Sequence, residues 1–233
     1  MIFNLPKEII FPPVELAEPN GILAVGGDLS VERLIAAYRQ GIFPWFSEGS
    51  PILWWSPDPR FILYPNEVKI SRSMKRIINR NFFNITYDTA FRDVIGNCRM
   101  QRKDQNGTWI TDEMEEAYIE LHAMGFAHSV ETWHNGALVG GLYGVSIGKM
   151  FFGESMFANI SNASKAALIT LSIKLQSLGF DCIDCQVYTE HLDSMGGRSI
   201  PRDAFMSLIA SSIKHETILG NWGSAGKFTE MLN

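Results

Sequence analysis

A chain of 233 residues with 46% hydrophobic content is long enough to bury a real core, in one large domain or two small ones. Its formal net charge of -5 argues against a protein that coats nucleic acid nonspecifically. No apolar run approaches the roughly 18 residues of a membrane span, and the start M-I-F-N-L-P-K-E lacks the basic and apolar regions of a signal peptide, so a cytosolic protein without a membrane partner is expected.

Residues 1–29 carry turn signals in F-P-P-V, E-P-N-G and G-G-D-L and leave no room for a long element. Ser30 suits the N-cap of a helix over V-E-R-L-I-A-A-Y-R-Q, with Leu34, Ile35 and Tyr38 on one face and Gly41 as its stop. Next, I-F-P-W-F-S-E-G-S-P-I-L-W-W-S-P-D-P-R-F interrupts any helix with prolines and glycines, so Trp45, Trp54 and Trp55 are expected in an irregular, rigid loop. The grammar then changes to alternating helices and strands. A boundary near residue 65 follows, with an irregular N-terminal domain over 1–65 and an α+β domain over 66–233.

Ser71 caps a basic amphipathic helix whose Met74, Ile77 and Ile78 turn inward, and Lys69, Arg72, Lys75, Arg76 and Arg80 make its surroundings locally positive despite the acidic whole. F-F-N-I-T-Y-D reads as a strand, Thr89 caps a helix over A-F-R-D-V-I-G-N-C, and a polar loop R-K-D-Q-N-G-T follows. Thr111 or Asp112 starts the next helix, with Met114, Tyr118 and Leu121 on one face and acidic residues in its first turn that suit the helix dipole. Asn135-Gly136 between two strand-like runs is a hairpin signal. A second turn at Gly148 leads into M-F-F-G-E-S-M-F, so three consecutive antiparallel strands are expected. A helix from Ser161 or Asn162 to Leu178, a strand F-D-C-I-D-C-Q-V, a helix opened by Pro201 and an irregular tail after Gly220 complete the chain. Cys98, Cys182 and Cys185 read as reduced core cysteines; Cys182 and Cys185 have no second pair or nearby histidine, so no metal site is expected.

Three polar residues interrupt the apolar strands: Glu154, Asp184 and Gln186. A buried polar group needs a reason, and Asp184 and Gln186, two apart, are expected on one face of a strand. The order strand, helix, helix, three-strand meander, helix, strand, helix is that of an acyl-CoA N-acyltransferase-like (GNAT-like) α+β domain, with a mostly antiparallel sheet flanked by helices. Such domains cradle a pyrophosphate in a glycine-rich turn. The corresponding turn here, S-M-F-A-N-I-S-N-A-S-K, has no glycine, which speaks against coenzyme A and leaves the cofactor expectation at none. There is also no Walker loop and no Gly-x-Ser-x-Gly elbow. An enzyme of this kind needs a donor that is already activated, such as an aminoacyl ester on a tRNA.

The strings E-P-N-G-I-L-A-V-G-G-D-L-S, G-I-F-P-W-F-S-E-G-S-P-I-L-W-W-S-P-D-P-R, I-S-R-S-M-K-R, G-T-W-I-T, L-V-G-G-L-Y-G-V, G-E-S-M-F, N-A-S-K-A-A-L and D-C-Q-V closely resemble those of the bacterial leucyl/phenylalanyl-tRNA–protein transferases, over residues 18 to 203. The resemblance implies transfer of Leu or Phe, less readily Met, from aminoacyl-tRNA to proteins with N-terminal Arg or Lys, which marks them for ATP-dependent proteolysis. It implies that Trp45 and Trp109 sandwich the terminal adenosine, with Tyr38 and Tyr118 nearby, and that Leu142, Leu168, Leu171 and Ile183 form the pocket for the donor side chain. Catalysis would fall to Gln186 on the attacking amine, to Asp184 orienting it, and to Glu154, holding the donor's amino group or the acceptor's cation. Arg72, Lys75, Arg76 and Arg80 would meet the tRNA backbone, and a monomer is expected. The alternatives are a small-molecule N-acyltransferase with a thioester donor and a noncatalytic adaptor for tRNA or protein N-termini.

Overall fold

The computed structural model describes residues 2–103 and 109–223; of the polar loop expected at 102–108, residues 102 and 103 continue the preceding helix, and 104–108, like the tail from 224 onward, lie outside the described residues. The turn-rich N-terminal stretch builds short strands. β1 (Phe3–Leu5), β2 (Ile22–Gly26) and, after helix α1 (Val31–Tyr38), β3 (Phe43–Pro44) and β4 (Leu53–Trp55) form a sheet in the order β1-β2-β4-β3. The tryptophan and proline segment is therefore less irregular than expected. Trp54 and Trp55 sit in β4, and the fully buried Trp54 is fixed by donating Nε1–H to the Gly26 carbonyl at 2.8 Å and by packing edge-on against Phe11. Ser30 does precede α1, but its hydroxyl donates to Asp28 and makes no cap hydrogen bond to the helix.

The second sheet begins with β5 (Arg60–Leu63), then, past α2 (Arg72–Asn79), β6 (Asn84–Tyr87), α3 (Phe91–Lys103) and α4 (Asp112–Ala123), the meander β7 (Ala127–His134), β8 (Ala137–Ile147) and β9 (Met150–Ala158). α5 (Ala163–Ser177), β10 (Cys182–Gln186), the short α6 (Glu190–Ser194), β11 (Arg198–Ile200) and α7 (Arg202–Ser212) follow. The strand order is β11-β5-β10-β9-β8-β7-β6, antiparallel except for β9 and β10, which the α5 crossover makes parallel. This is the N-acyltransferase-like layout expected from the element order. Asn135 (φ 50°) and Gly136 (φ 79°) both adopt the positive φ that a two-residue hairpin turn of this kind requires. β5 was not expected: four consecutive buried residues give no alternation to read, and the strand lies on the N-terminal side of residue 65 while pairing with β10.

Alternate residues of the large sheet feed two cores. Leu142, Phe151 and Ile183 pack with Leu168, Leu171 and the rest of α5, which is buried almost all round. Tyr143, Val145 and Phe152 face the other way, toward Phe91, Tyr118 and Phe205, and join Tyr38, Phe43 and Trp54 in one continuous core with the small sheet. Burial of each such side chain contributes about 1.5–3 kcal/mol. Among the described residues no helix is long and apolar enough to cross a membrane.

One departure from regular pairing positions the site. β9 and β10 are paired from Met150–Cys182 to Phe152–Asp184 and then part, because the register of β10 against β5 shifts between Asp184 and Gln186 and Gln186 takes a left-handed φ of 64°. β9 runs on to Ala158 beside β8 alone. A cleft opens between them.

Candidate active site

The cleft holds a cavity of about 520 Å³. Leu142, Leu168, Leu171 and Ile183 all line it, with Phe151 and Met156, so the four residues expected to form an apolar pocket do converge. Trp45 and Trp109 line it as well. Trp45 is 39% exposed, its ring 5.4 Å from that of Trp55, whose Nε1–H donates to the Trp45 carbonyl at 2.6 Å and holds the loop in place. Trp109 is half-buried, at the edge of the segment 104–108.

Glu154 reaches the cavity from a bulge. Its neighbours Gly153 and Ser155 face Gly144 and Tyr143 on β8, which leaves Glu154 as the extra residue of the ladder, and such bulges re-aim side chains. Its carboxylate is almost enclosed and accepts from Tyr38 Oη at 2.8 Å, Tyr118 Oη at 3.0 Å and Gln186 Nε2 at 2.8 Å. Burial pushes its pKa up to about 7, against the pull of these donors and with a further push from Asp184. The proton count agrees. Tyr38 and Tyr118 also touch each other through their hydroxyls, so the two phenols and the carboxyl form a ring of three contacts, and three protons fill it only when Glu154 is protonated. Burial likewise raises both phenols well above their usual range, so the tyrosines stay protonated. Tyr38 and Tyr118 were expected beside an adenosine. Both are fully buried and offer no ring face to a base; each sets its hydroxyl on the Glu154 carboxyl.

Asp184 is not part of the cavity lining. It is completely buried beneath Gln186 and forms a two-pronged ion pair with Arg60, Nε to Oδ1 at 2.8 Å and Nη2 to Oδ2 at 2.7 Å. Arg60 in turn lies between the rings of Phe43 (4.7 Å) and Phe205 (4.6 Å) and donates Nη1–H to the Gly41 carbonyl at 3.1 Å. The expectation that Asp184 and Gln186 share one strand face fails because the bulge at Cys185 breaks the period of two. Asp184 still governs Gln186, by accepting its backbone N–H at 2.9 Å in the left-handed conformation. Gln186 Nε2 is taken by Glu154, and among the described residues its Oε1 has no donor, so it is free to accept an N–H from a molecule in the cavity.

On α2 and at its C-cap, Arg72, Lys75, Arg76 and Arg80 are exposed, and among the described residues they enter no ion pair, while Met74 and Ile78 anchor the helix. Cys182 is buried and Cys185 lines the cavity; burial raises both thiols, which keeps them protonated. Two site residues went unread in the sequence. Arg60 follows S-P-D-P, where a charge looks like surface, and Gln101 of α3 pairs with the end of β9 without any motif to announce it.

The family model described as leucyl/phenylalanyl-tRNA protein transferase matches residues 62–210, and the model of that family's N-terminal domain matches 27–58. The curated leucyl/phenylalanyl-tRNA–protein transferase of Syntrophus aciditrophicus is 58% identical over 224 residues, 96% of this chain and 94% of that protein. The proteins of the same name from Nitrosomonas europaea (58% over 207 residues, 88% of each chain) and Myxococcus xanthus (55% over 214 residues, 91% of this chain and 92% of that protein) are similarly close. Among solved structures, an aminoglycoside acetyltransferase from a soil metagenome matches at 14% identity and a TM-score of 0.38, over 57% of this chain and 88% of that one. The chain belongs to the leucyl/phenylalanyl-tRNA–protein transferase family.

Proposed function

We propose that the protein moves Leu or Phe, and less readily Met, from aminoacyl-tRNA to the α-amine of proteins with N-terminal Arg or Lys, marking them for degradation. The observation that carries the reading is one cavity in which an apolar wall, two accessible tryptophans and the Glu154–Gln186 pair meet. The wall of Leu142, Leu168, Leu171 and Ile183 suits the donor side chain, and Trp45 and Trp109 suit the terminal adenosine. Gln186 Oε1 accepts an N–H of the incoming amine and aims its lone pair at the ester carbonyl. As the C–N bond forms and the ester C–O bond breaks, ionised Glu154 takes the proton lost by nitrogen and returns it to the departing ribose oxygen, so the step closes without a co-reactant. Asp184 and Arg60 act through Gln186 and are positioning residues. All of these groups come from one chain, which supports action as a monomer, and charged tRNA as substrate puts the reaction in the cytoplasm. The N-terminal unit, which we place up to about residue 65, contributes Trp45 and Tyr38; the remainder contributes the cavity walls and, on α2, the cations facing the tRNA backbone.

Labelled Leu-tRNA incubated with a peptide beginning with Arg tests the reading. Label passes to the peptide and not to its N-acetylated form; no transfer to either overturns it in favour of a noncatalytic adaptor, and tight binding of acetyl-CoA by calorimetry overturns it in favour of a thioester-dependent acyltransferase. Stacking of one base on an aromatic ring is worth about 1–3 kcal/mol. Trp45→Ala and Trp109→Ala are each expected to raise the KM for aminoacyl-tRNA roughly 5- to 150-fold. Unchanged kcat/KM in both variants removes the adenosine from this rim. For α2, Arg76→Glu with Arg80→Glu weakens tRNA binding and flattens its decline with salt; an unaltered salt slope places the backbone elsewhere.

A further inference from the structure

The parting of β9 and β10 leaves a piece of sheet edge open inside the cavity. Antiparallel partners alternate between pairs that exchange backbone hydrogen bonds and pairs that do not. Asn159 N–H donates to the Val139 carbonyl at 2.8 Å, so in the same register Phe157–Gly141 and Ser155–Tyr143 are the bonded pairs, while Met156 and Ala158 turn their N–H and C=O away from β8. Ala158 bears this out: its N–H donates to Gln101 Oε1 and its carbonyl accepts from Gln101 Nε2, both at 3.2 Å. The Gln101 amide thus closes the edge as a strand residue would. Met156, between that closure and Glu154, lies beyond the last β9–β10 pair and has no backbone partner on this side among the described residues, and it lines the cavity together with Gln186 and Val187.

We propose that the N–H and C=O of Met156 bind the main chain of the acceptor protein, held extended as a short strand between β9 and the segment after β10. A peptide residue offers an acceptor and a donor at the spacing this edge presents, which is the mode of strand addition. The register supports the same occupant. Met156 lies two residues beyond Glu154, about 6.6 Å along an extended chain. A polypeptide whose amine sits at Glu154 and Gln186 therefore brings its next few peptide groups alongside Met156 and runs out toward Gln101. Recognition of this kind reads an extended N-terminus, whatever its side chains after the first residue, and refuses one folded into a helix. Gln101 limits the added strand to a single rung.

The inference rests on the transferase reading, and a scan of backbone esters separates the two. Acceptor peptides beginning with Arg, with the peptide N–H of residue 2, 3 or 4 replaced in turn by an ester oxygen, are compared with the unmodified peptide at saturating Leu-tRNA. Loss of one backbone hydrogen bond lowers affinity by about two- to tenfold. The expected result is a rise in acceptor KM of that size at one position, with its neighbours unchanged, because successive N–H groups of an extended chain point to opposite sides. An N-methyl group at the sensitive position raises KM further. Transfer to all the esters with equal KM overturns the rung and leaves the transferase reading standing. Absence of transfer to the unmodified peptide overturns both.

Discussion

Arg60→Met lowers folding stability by about 3–5 kcal/mol. Arg60 and Asp184 are buried to 1% and 0% exposure, so neither is solvated by water, and each relies on the other for its compensation. Removing the guanidinium leaves a carboxylate in the core with only the Gln186 N–H for company. Methionine fills the space between Phe43 and Phe205 reasonably well, which isolates the charge effect from a packing defect. Urea midpoints measure the loss, and the double variant Arg60→Met with Asp184→Leu recovers most of it, since replacing both members of a buried pair by apolar groups is close to neutral. The two effects separate in kinetics. The double variant folds but no longer anchors the left-handed Gln186, so its kcat falls while the KM for aminoacyl-tRNA stays put. A loss below 1 kcal/mol in the single variant, or full kcat in the double one, refutes the positioning role.

Much of this arrangement was legible in the sequence, and the parts that were not share a physical cause. Periodicity and turn chemistry are local, so the helices on either side of the meander, the Asn135-Gly136 hairpin and the α5 crossover follow from neighbours within a few residues. The apolar wall came from the family resemblance and not from periodicity; the fold brings it together by setting Leu142 and Ile183 on strands against Leu168 and Leu171 of one helix. The meeting of Tyr38 and Tyr118 at Glu154 was not legible because they come from helices 80 positions apart, and only the packed fold brings both phenols onto one carboxylate. Arg60 is unreadable for a related reason. Its partner lies 124 residues away and its burial depends on Phe43 and Phe205, so nothing near S-P-D-P-R distinguishes it from a surface arginine. The bulges that aim Glu154 and Gln186 break the rule of two on which strand reasoning rests, and they break it at the site.

Glu154→Gln slows transfer by about 10²–10⁴-fold, the usual contribution of a positioned proton acceptor, and it changes how stability depends on pH. In the fold Glu154 titrates at about 7 against an ordinary value of 4.5. Between those values the folded protein holds a proton that the unfolded chain has lost, so this group's contribution is full below pH 4.5 and disappears as pH rises through 7. At 1.36 kcal/mol per pH unit the loss amounts to about 3 kcal/mol. The glutamine amide supplies the third hydrogen of the ring with Tyr38 and Tyr118 at every pH, so the variant lacks this slope. Its stability relative to the parent, from urea unfolding at pH 5, 6, 7 and 8, is expected to climb across that range and level off above 7. The rate profile carries the same signature with opposite consequence. Ionised Glu154 is the form that accepts the amine's proton, so the parent's kcat/KM rises through about 7 and again with the amine's own pKa of about 7.7–8.0, whereas the variant keeps only the second rise. A stability difference that stays flat with pH means that Glu154 is ionised throughout, and a proton relay through it is then untenable.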